Sequence, residues 1–229
     1  MPCRTRFNAT ALALILPLTL AARADKPRKP RPPLPAAQYA SHDTHANEHV
    51  TIAADPGDSK DTAPHTRLDY LSHGFMPIRI IVTNDSSQPL SLDDARILFI
   101  SSQDVTENAA TGDDLQRRLF EMKSVRGTRI PMPAPIPAIT IHHPPVDKKI
   151  LADDTDFGFK TTTIAPHTTA AGWLYYDVRD LDEPVLKGAT LELRKVRWAA
   201  TNKSLDSFEI QLIPTVPATS AASGTTTEH

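Results

Sequence analysis

Proline placement sets the first limits on this fold. Of 21 prolines in 229 residues, five lie between Pro27 and Pro35 and six between Pro131 and Pro145. A proline ring fixes φ and removes a backbone donor, so neither stretch can supply a helix interior or a central strand. The first stretch also holds Lys26, Arg28, Lys29 and Arg31, and reads as an extended, solvated basic spacer. The second carries Ile130, Met132, Ile136, Ile139 and Ile141 between its prolines, with one short strand-like run at Ala138 to Ile141. It reads as an ordered extended connection with one side packed on the body. Regular structure must therefore come from the segments between these two and after the second.

Ahead of the spacer, Arg4 and Arg6 precede a mostly apolar run from Ala9 to Ala22, and Ala22-Arg23-Ala24 supplies small residues at a cleavage site. This is the pattern of an export signal, with the mature chain expected to begin at Asp25 in the periplasm or outside the cell. The run is too short to span a bilayer comfortably, and no later segment approaches that length. The single cysteine, Cys3, falls inside the signal, so the mature chain has no disulfide and no cysteine metal ligand or nucleophile. The formal net charge of −2 averages a basic signal and spacer against a body of 18 basic and 25 acidic residues. Such a body offers no footprint for nucleic acid. The expected organisation is a signal over 1–24, a Pro/basic linker over 25–47, a folded domain over 48–215 and a Thr/Ser/Ala-rich tail over 216–229.

The domain reads as strands. Val50 and Ile52 alternate within Glu48 to Ala53. Ile78, Ile80 and Val82 share one face of Pro77 to Asp85, with Arg79 and Thr83 opposite. Both faces of Ile97 to Ile100 are apolar, so that strand is expected to be central and covered on both sides. Phe157 to Ile164, Ala170 to Val178, Ala189 to Ala199 and Leu205 to Ile213 follow, separated by turn residues. One helix is expected from Gly112, with Thr111 as N-cap, acidic residues at the positive end of the dipole, and Leu115, Leu119 and Met122 on its buried face. Seven to eight short strands with no βαβ rhythm predict an all-β, antiparallel β-sandwich with one short helix and a Pro-rich crossover.

One segment carries a family resemblance. Ile164 to Val178 places Pro166 and small polar residues before Gly172 and an aromatic strand with Trp173, Tyr175 and Tyr176. Asn84 follows an apolar strand and opens a polar turn. In this the chain resembles bacterial exported immunoglobulin-like domains of the DUF4352 type, over roughly residues 75–100 and 160–213. The helix and the proline crossover depart from that pattern. The resemblance implies an Ig-like sandwich whose role is binding or envelope structure rather than catalysis.

Candidate chemistry is sparse. His42, His45 and His49 would share a face only on a helix, and none is expected there; converging loops could still bring them to a metal ion. His142 and His143 are adjacent on an extended segment and point opposite ways. The acidic runs Asp153-Asp154-Thr155-Asp156 and Asp177, Asp180, Asp182 and Glu183 have the oxygen ligands calcium prefers, without EF-hand spacing. Trp173 and Tyr175 on one strand face and Tyr176 on the other are read as core on at least one side, and as a sugar-stacking surface otherwise. No nucleophile elbow or His-Glu-x-x-His motif is present, and no carboxylate pair stands out. The expectation is a non-catalytic exported domain, without cofactor, acting on an unidentified protein or cell-envelope partner. The alternatives are a metal-binding protein using His42–His49 and a calcium- or carbohydrate-binding module.

Overall fold

The computed structural model describes residues 30–119, 128–130, 139–141 and 146–214. The signal expected over 1–24, Met122, most of the second proline segment, His142-His143 and the tail expected over 216–229 lie outside the described residues. In chain order the strands are β1 (His42–His45), β2 (Val50–Pro56), β3 (Phe75–Asn84), β4 (Leu90–Ser91), β5 (Arg96–Ile100), β6 (Thr106–Asn108), β7 (Thr128–Ile130), β8 (Ile139–Ile141), β9 (Thr163–Ile164), β10 (Thr168–Asp177), β11 (Thr190–Arg194), β12 (Arg197–Trp198) and β13 (Phe208–Gln211). Helix α1 (Gly112–Leu119) follows β6, and α2 (Val146–Phe157) follows β8.

The framework is an all-β antiparallel sandwich. One sheet runs β1-β2-β3-β10 and the facing sheet β13-β11-β5-β6, with a small β12-β4-β9 sheet beside them. Strands β7 and β8 pair only with each other. The alternation read from the sequence decides what lies between the sheets. Ile52, Ile78, Ile80 and Val82 from one side meet Phe99, Leu191, Leu193, Phe208 and Ile210 from the other, all fully buried. Strands are more numerous and shorter than expected. The run Ala189 to Ala199 is broken into β11 and β12 where Lys195 takes a left-handed φ of 62°.

The strand covered on both faces is β3, all ten of whose residues are buried. Strand β5 is interior to its sheet, but Ile97 and Ile100 are only half-buried. Two different covers lie on the outer face of the β3 sheet. At one end α1 and α2 pack Leu115, Leu119, Val146, Ile150 and Phe157 over Phe75, Trp173 and Tyr175. At the other, Ala36 closes over Ala53 and Ile81.

That second cover moves the domain boundary. The linker reading over 25–47 fails for its second half. The Ala36 nitrogen donates to Thr83 Oγ1 at 2.8 Å, and His42–His45 is a paired strand. Farther upstream, Arg79 Nη2 donates to the Arg31 carbonyl at 2.5 Å. The chain from Arg31 thus leads directly onto the sheet.

The second correction is α2, where the sequence showed only an acidic run and then a strand from Phe157. Val146, Ile150, Asp153 and Phe157 are its buried residues, at helical spacing on one face. The stripe escapes notice because its third member is an aspartate. Of the expected Phe157–Ile164 strand, only Thr163–Ile164 pairs as one. Gly158 makes a single bridge to Trp173. Helix α1 begins as expected. Thr111 and Asp114 cap it reciprocally, Asp114 N to Thr111 Oγ1 at 3.3 Å and Thr111 N to Asp114 Oδ2 at 3.0 Å. The Thr111 hydroxyl also donates to Asp114 Oδ2 at 2.7 Å, and this bond, then the one from the Thr111 nitrogen, holds the Asp114 carboxyl below its ordinary range. Among the described residues no helix is long and apolar enough to cross a membrane.

Candidate functional site

The most constructed site lies where the loop joining β2 to β3 folds back over β10. Gly57 opens this loop by donating its nitrogen to the Pro77 carbonyl at 2.8 Å. A Cβ there would come within 2.9 Å of the Ala63 Cα and 3.0 Å of the Trp173 ring, so only glycine lets the loop approach so closely. The loop holds its own turns, with Ala63 N to Ser59 O at 2.8 Å and Thr66 Oγ1 to Leu68 O at 2.7 Å. It returns to β3 through Phe75 N to Tyr70 O at 3.0 Å. Under it is a cavity of about 300 Å³ walled by Ala63, Pro64, Leu68, Tyr70, Pro77 and Tyr175.

Two of its lining residues, Arg67 and Tyr70, belong to a buried polar network centred on Asp153. Asp153, fully buried on α2, accepts from Arg67 twice and from Tyr70. The Arg67 backbone nitrogen lies 2.9 Å from Oδ1 and 3.1 Å from Oδ2, its Nη1 2.9 Å from Oδ1, and the Tyr70 hydroxyl 3.2 Å from Oδ2. Arg67 Nη2 reaches on to Asp156 at 2.6 Å. The acidic run read as a calcium candidate is thus divided among cationic side chains, with Asp154 on Lys160 at 3.0 Å. The rings of Tyr70 and Tyr175 lie 4.2 Å apart, tilted by 30°. Burial first, then the charge of Asp153, pushes the ionisation of both phenols well up. They remain neutral donors. Tyr70 has its acceptor; the Tyr175 hydroxyl, buried, has none among the described residues.

The residues singled out from sequence fall elsewhere or serve packing. Trp173 and Tyr175 are buried under the helices and Tyr176 in the sandwich core, so none of the three is a surface platform. Both faces of β10 are core because each sheet face there is covered. His42, His45 and His49 do not converge. His42 bonds the Tyr39 carbonyl through Nδ1 at 2.7 Å. His45, on the opposite face of β1, stacks on Phe208 with centroids 3.7 Å apart. His49 sits in the β1–β2 turn at φ 54°. Strand geometry separates what a helix would have aligned.

Of the second acidic run, Asp177 is held by Arg118 and Arg179, and Asp182 accepts from Gln103 Nε2. Burial raises the Asp177 carboxyl and Arg118 pulls it back; burial, then Asp177 and Asp180, raise Glu107 across the same groove. Among the described residues no group of three His, Cys, Asp or Glu side chains is placed to hold a metal ion.

Arg67 and Tyr70 were not found by sequence reading, and Asp153 was singled out only as a member of a calcium-candidate run. Arg67 and Tyr70 lie in a loop without periodicity. Asp153 could have been noticed as the one polar residue on the apolar spacing 146, 150, 153, 157. No family model, curated protein or solved structure matches the chain.

Proposed function

We propose that this is an exported, non-catalytic sandwich of immunoglobulin-like type that acts by contact with a protein or cell-envelope partner, presented on its basic proline-rich segment. The export signal and the charge contrast between spacer and acidic body support the reading. The observation that carries it is the junction between them. Arg79, buried in the sheet, grips the Arg31 carbonyl, and Ala36 seals the sheet's outer face a few residues later. The spacer is thus tied to the body at its base, through Arg31. Its four cationic side chains suit an anionic envelope polymer or an acidic protein face.

The test is co-sedimentation of the chain from Asp25 onward with washed cell-envelope fragments, beside a variant with Lys26, Arg28 and Lys29 changed to Glu. Pelleting of the first and several-fold loss in the second is the expected result. Equal recovery of both in the supernatant, at low ionic strength, would overturn the proposal.

A further inference from the structure

We infer that the cavity under the β2–β3 loop binds a small neutral molecule with a flat apolar body and one carbonyl or hydroxyl oxygen. This goes beyond the contact function and does not rest on it.

The inference starts from the Tyr175 hydroxyl. Tyr175 is 6% exposed, lines the cavity, and its Oη has no hydrogen-bond partner among the described residues. A buried hydroxyl left unpaired is costly, and native interiors seldom keep one without a purpose. The nearby carboxylate does not take it. Asp153 accepts from three donors, the Arg67 nitrogen shared between its two oxygens, Arg67 Nη1 and the Tyr70 hydroxyl, and makes no hydrogen bond with Tyr175. The Tyr175 proton therefore has no acceptor among the described residues and is available to a ligand oxygen.

The charges around it select the kind of oxygen. Burial first, then the charges of Asp153 and Asp154, hold the Tyr175 phenol in its protonated form. Of the charged residues in the lining, Arg67 is committed to Asp153 and Asp156, and Lys60, His65 and Asp69 are exposed to solvent, so the acceptor expected at the buried hydroxyl is uncharged. The walls define the remainder. Pro64 and Pro77 are rigid, Ala63 and Leu68 are apolar, and the Tyr70 ring is fixed by its bond to Asp153. A volume of about 300 Å³ is at the small end for ligand sites and suits one or two fused rings.

The experiment titrates the chain from Asp25 onward with acetophenone, ethylbenzene and benzoate, followed by ligand-observed NMR. Acetophenone should bind about tenfold more tightly than ethylbenzene, which has its shape without the acceptor, and benzoate should bind more weakly than acetophenone. In Tyr175→Phe the preference for acetophenone should vanish while ethylbenzene binding and melting temperature are kept, because the lost hydroxyl has no partner among the described residues. Ala63→Phe, which fills the cavity from the loop side, should abolish binding of all three. Equal binding of acetophenone and ethylbenzene to the unaltered protein, preference for benzoate, no binding of any probe, or full binding to Ala63→Phe would each overturn the inference.

Discussion

Arg67 holds Asp153 from two directions at once, its backbone nitrogen and its Nη1 each 2.9 Å from Oδ1. The contact fastens the β2–β3 loop, which walls the cavity, to α2. Asp153 is fully buried, while the Arg67 side chain keeps a quarter of its surface in solvent (28% exposed). The two partners are therefore not equivalent. Removing the arginine strands a buried carboxylate; removing the carboxylate frees a guanidinium that water can reach.

From this asymmetry, Arg67→Met should destabilise the fold by about 3 kcal/mol, since breaking a buried pair from one side leaves the other charge uncompensated. The triple variant Arg67→Met, Tyr70→Phe, Asp153→Leu should cost less than Arg67→Met alone, because it removes the stranded charge and completes the apolar stripe of α2. Urea denaturation of the two variants beside the parent measures both. A triple variant less stable than the single would show that the network contributes more than the repair of its own burial.

Helix α2 makes a sharper statement than the acidic run it replaced. Ile150 is buried against the β10 side, and its neighbour Leu151 is 67% exposed. Ile150→Ala should cost about 3 kcal/mol, as for other large-to-small changes in a packed core. Leu151→Ala should stay within about 0.5 kcal/mol, as a surface change. Thermal denaturation of the pair checks the helix face directly.

Strands β2, β3, β5, β10, β11 and β13 of the two main sheets were legible because alternation of apolar and polar residues is a local signal, and Ile78, Ile80 and Val82 carry it within one short run; the edge strands β1 and β6 were not. The helix α1 was legible for the same reason, through Thr111, Asp114 and Leu115. Three further things were not. Asp153 hid α2 because its burial depends on an arginine 86 positions away. Ala36 hid the true start of the domain because a single small residue gives no pattern, and its burial comes from Ala53 and Ile81. The aromatic strand was read correctly as a strand, but covers on both of its faces come from segments distant in sequence. The cavity belongs to the same class. Its parts meet only after the loop, β3 and β10 are assembled.

Gly172 is where the sequence pattern and the packing agree most closely. It precedes Trp173 on β10, and the chain leaving α2 crosses directly above it. A Cβ at this position would lie 2.6 Å from the Phe159 nitrogen and 2.7 Å from the Gly158 carbonyl oxygen. These are backbone atoms, held by Phe159 N to Trp173 O at 3.2 Å and Gly158 N to Asp154 O at 2.9 Å, so they cannot step aside cheaply. Gly172→Ala should cost roughly 3 kcal/mol or more, at the upper end of overpacking effects. Differential scanning calorimetry should show it as a fall in melting temperature larger than that of Gly112→Ala, where a Cβ meets nothing within 4 Å.

Arg79 links the sheet to the spacer and also faces Asp55 across the β2–β3 register. Burial pushes the Asp55 carboxyl above its ordinary range, Arg79 draws it back, and Asp58 adds a further push upward. A carboxyl raised in the folded state binds its proton more tightly there than in the unfolded chain. The folded form is then favoured by acid, and stability falls as pH rises from the ordinary carboxylate range through the raised folded value. In Arg79→Met the downward pull is gone, so the folded value climbs further and the penalty at neutral pH grows. The variant should lose about 2 kcal/mol at about pH 7, part of it from the lost bond to the Arg31 carbonyl. At about pH 5 the loss should be smaller. Adding Asp55→Asn should remove the pH dependence and leave only the part due to Arg31. Urea midpoints at the two pH values separate these contributions. A loss independent of pH in Arg79→Met would mean that the arginine acts only as the anchor of the spacer and not as the counter-charge of Asp55.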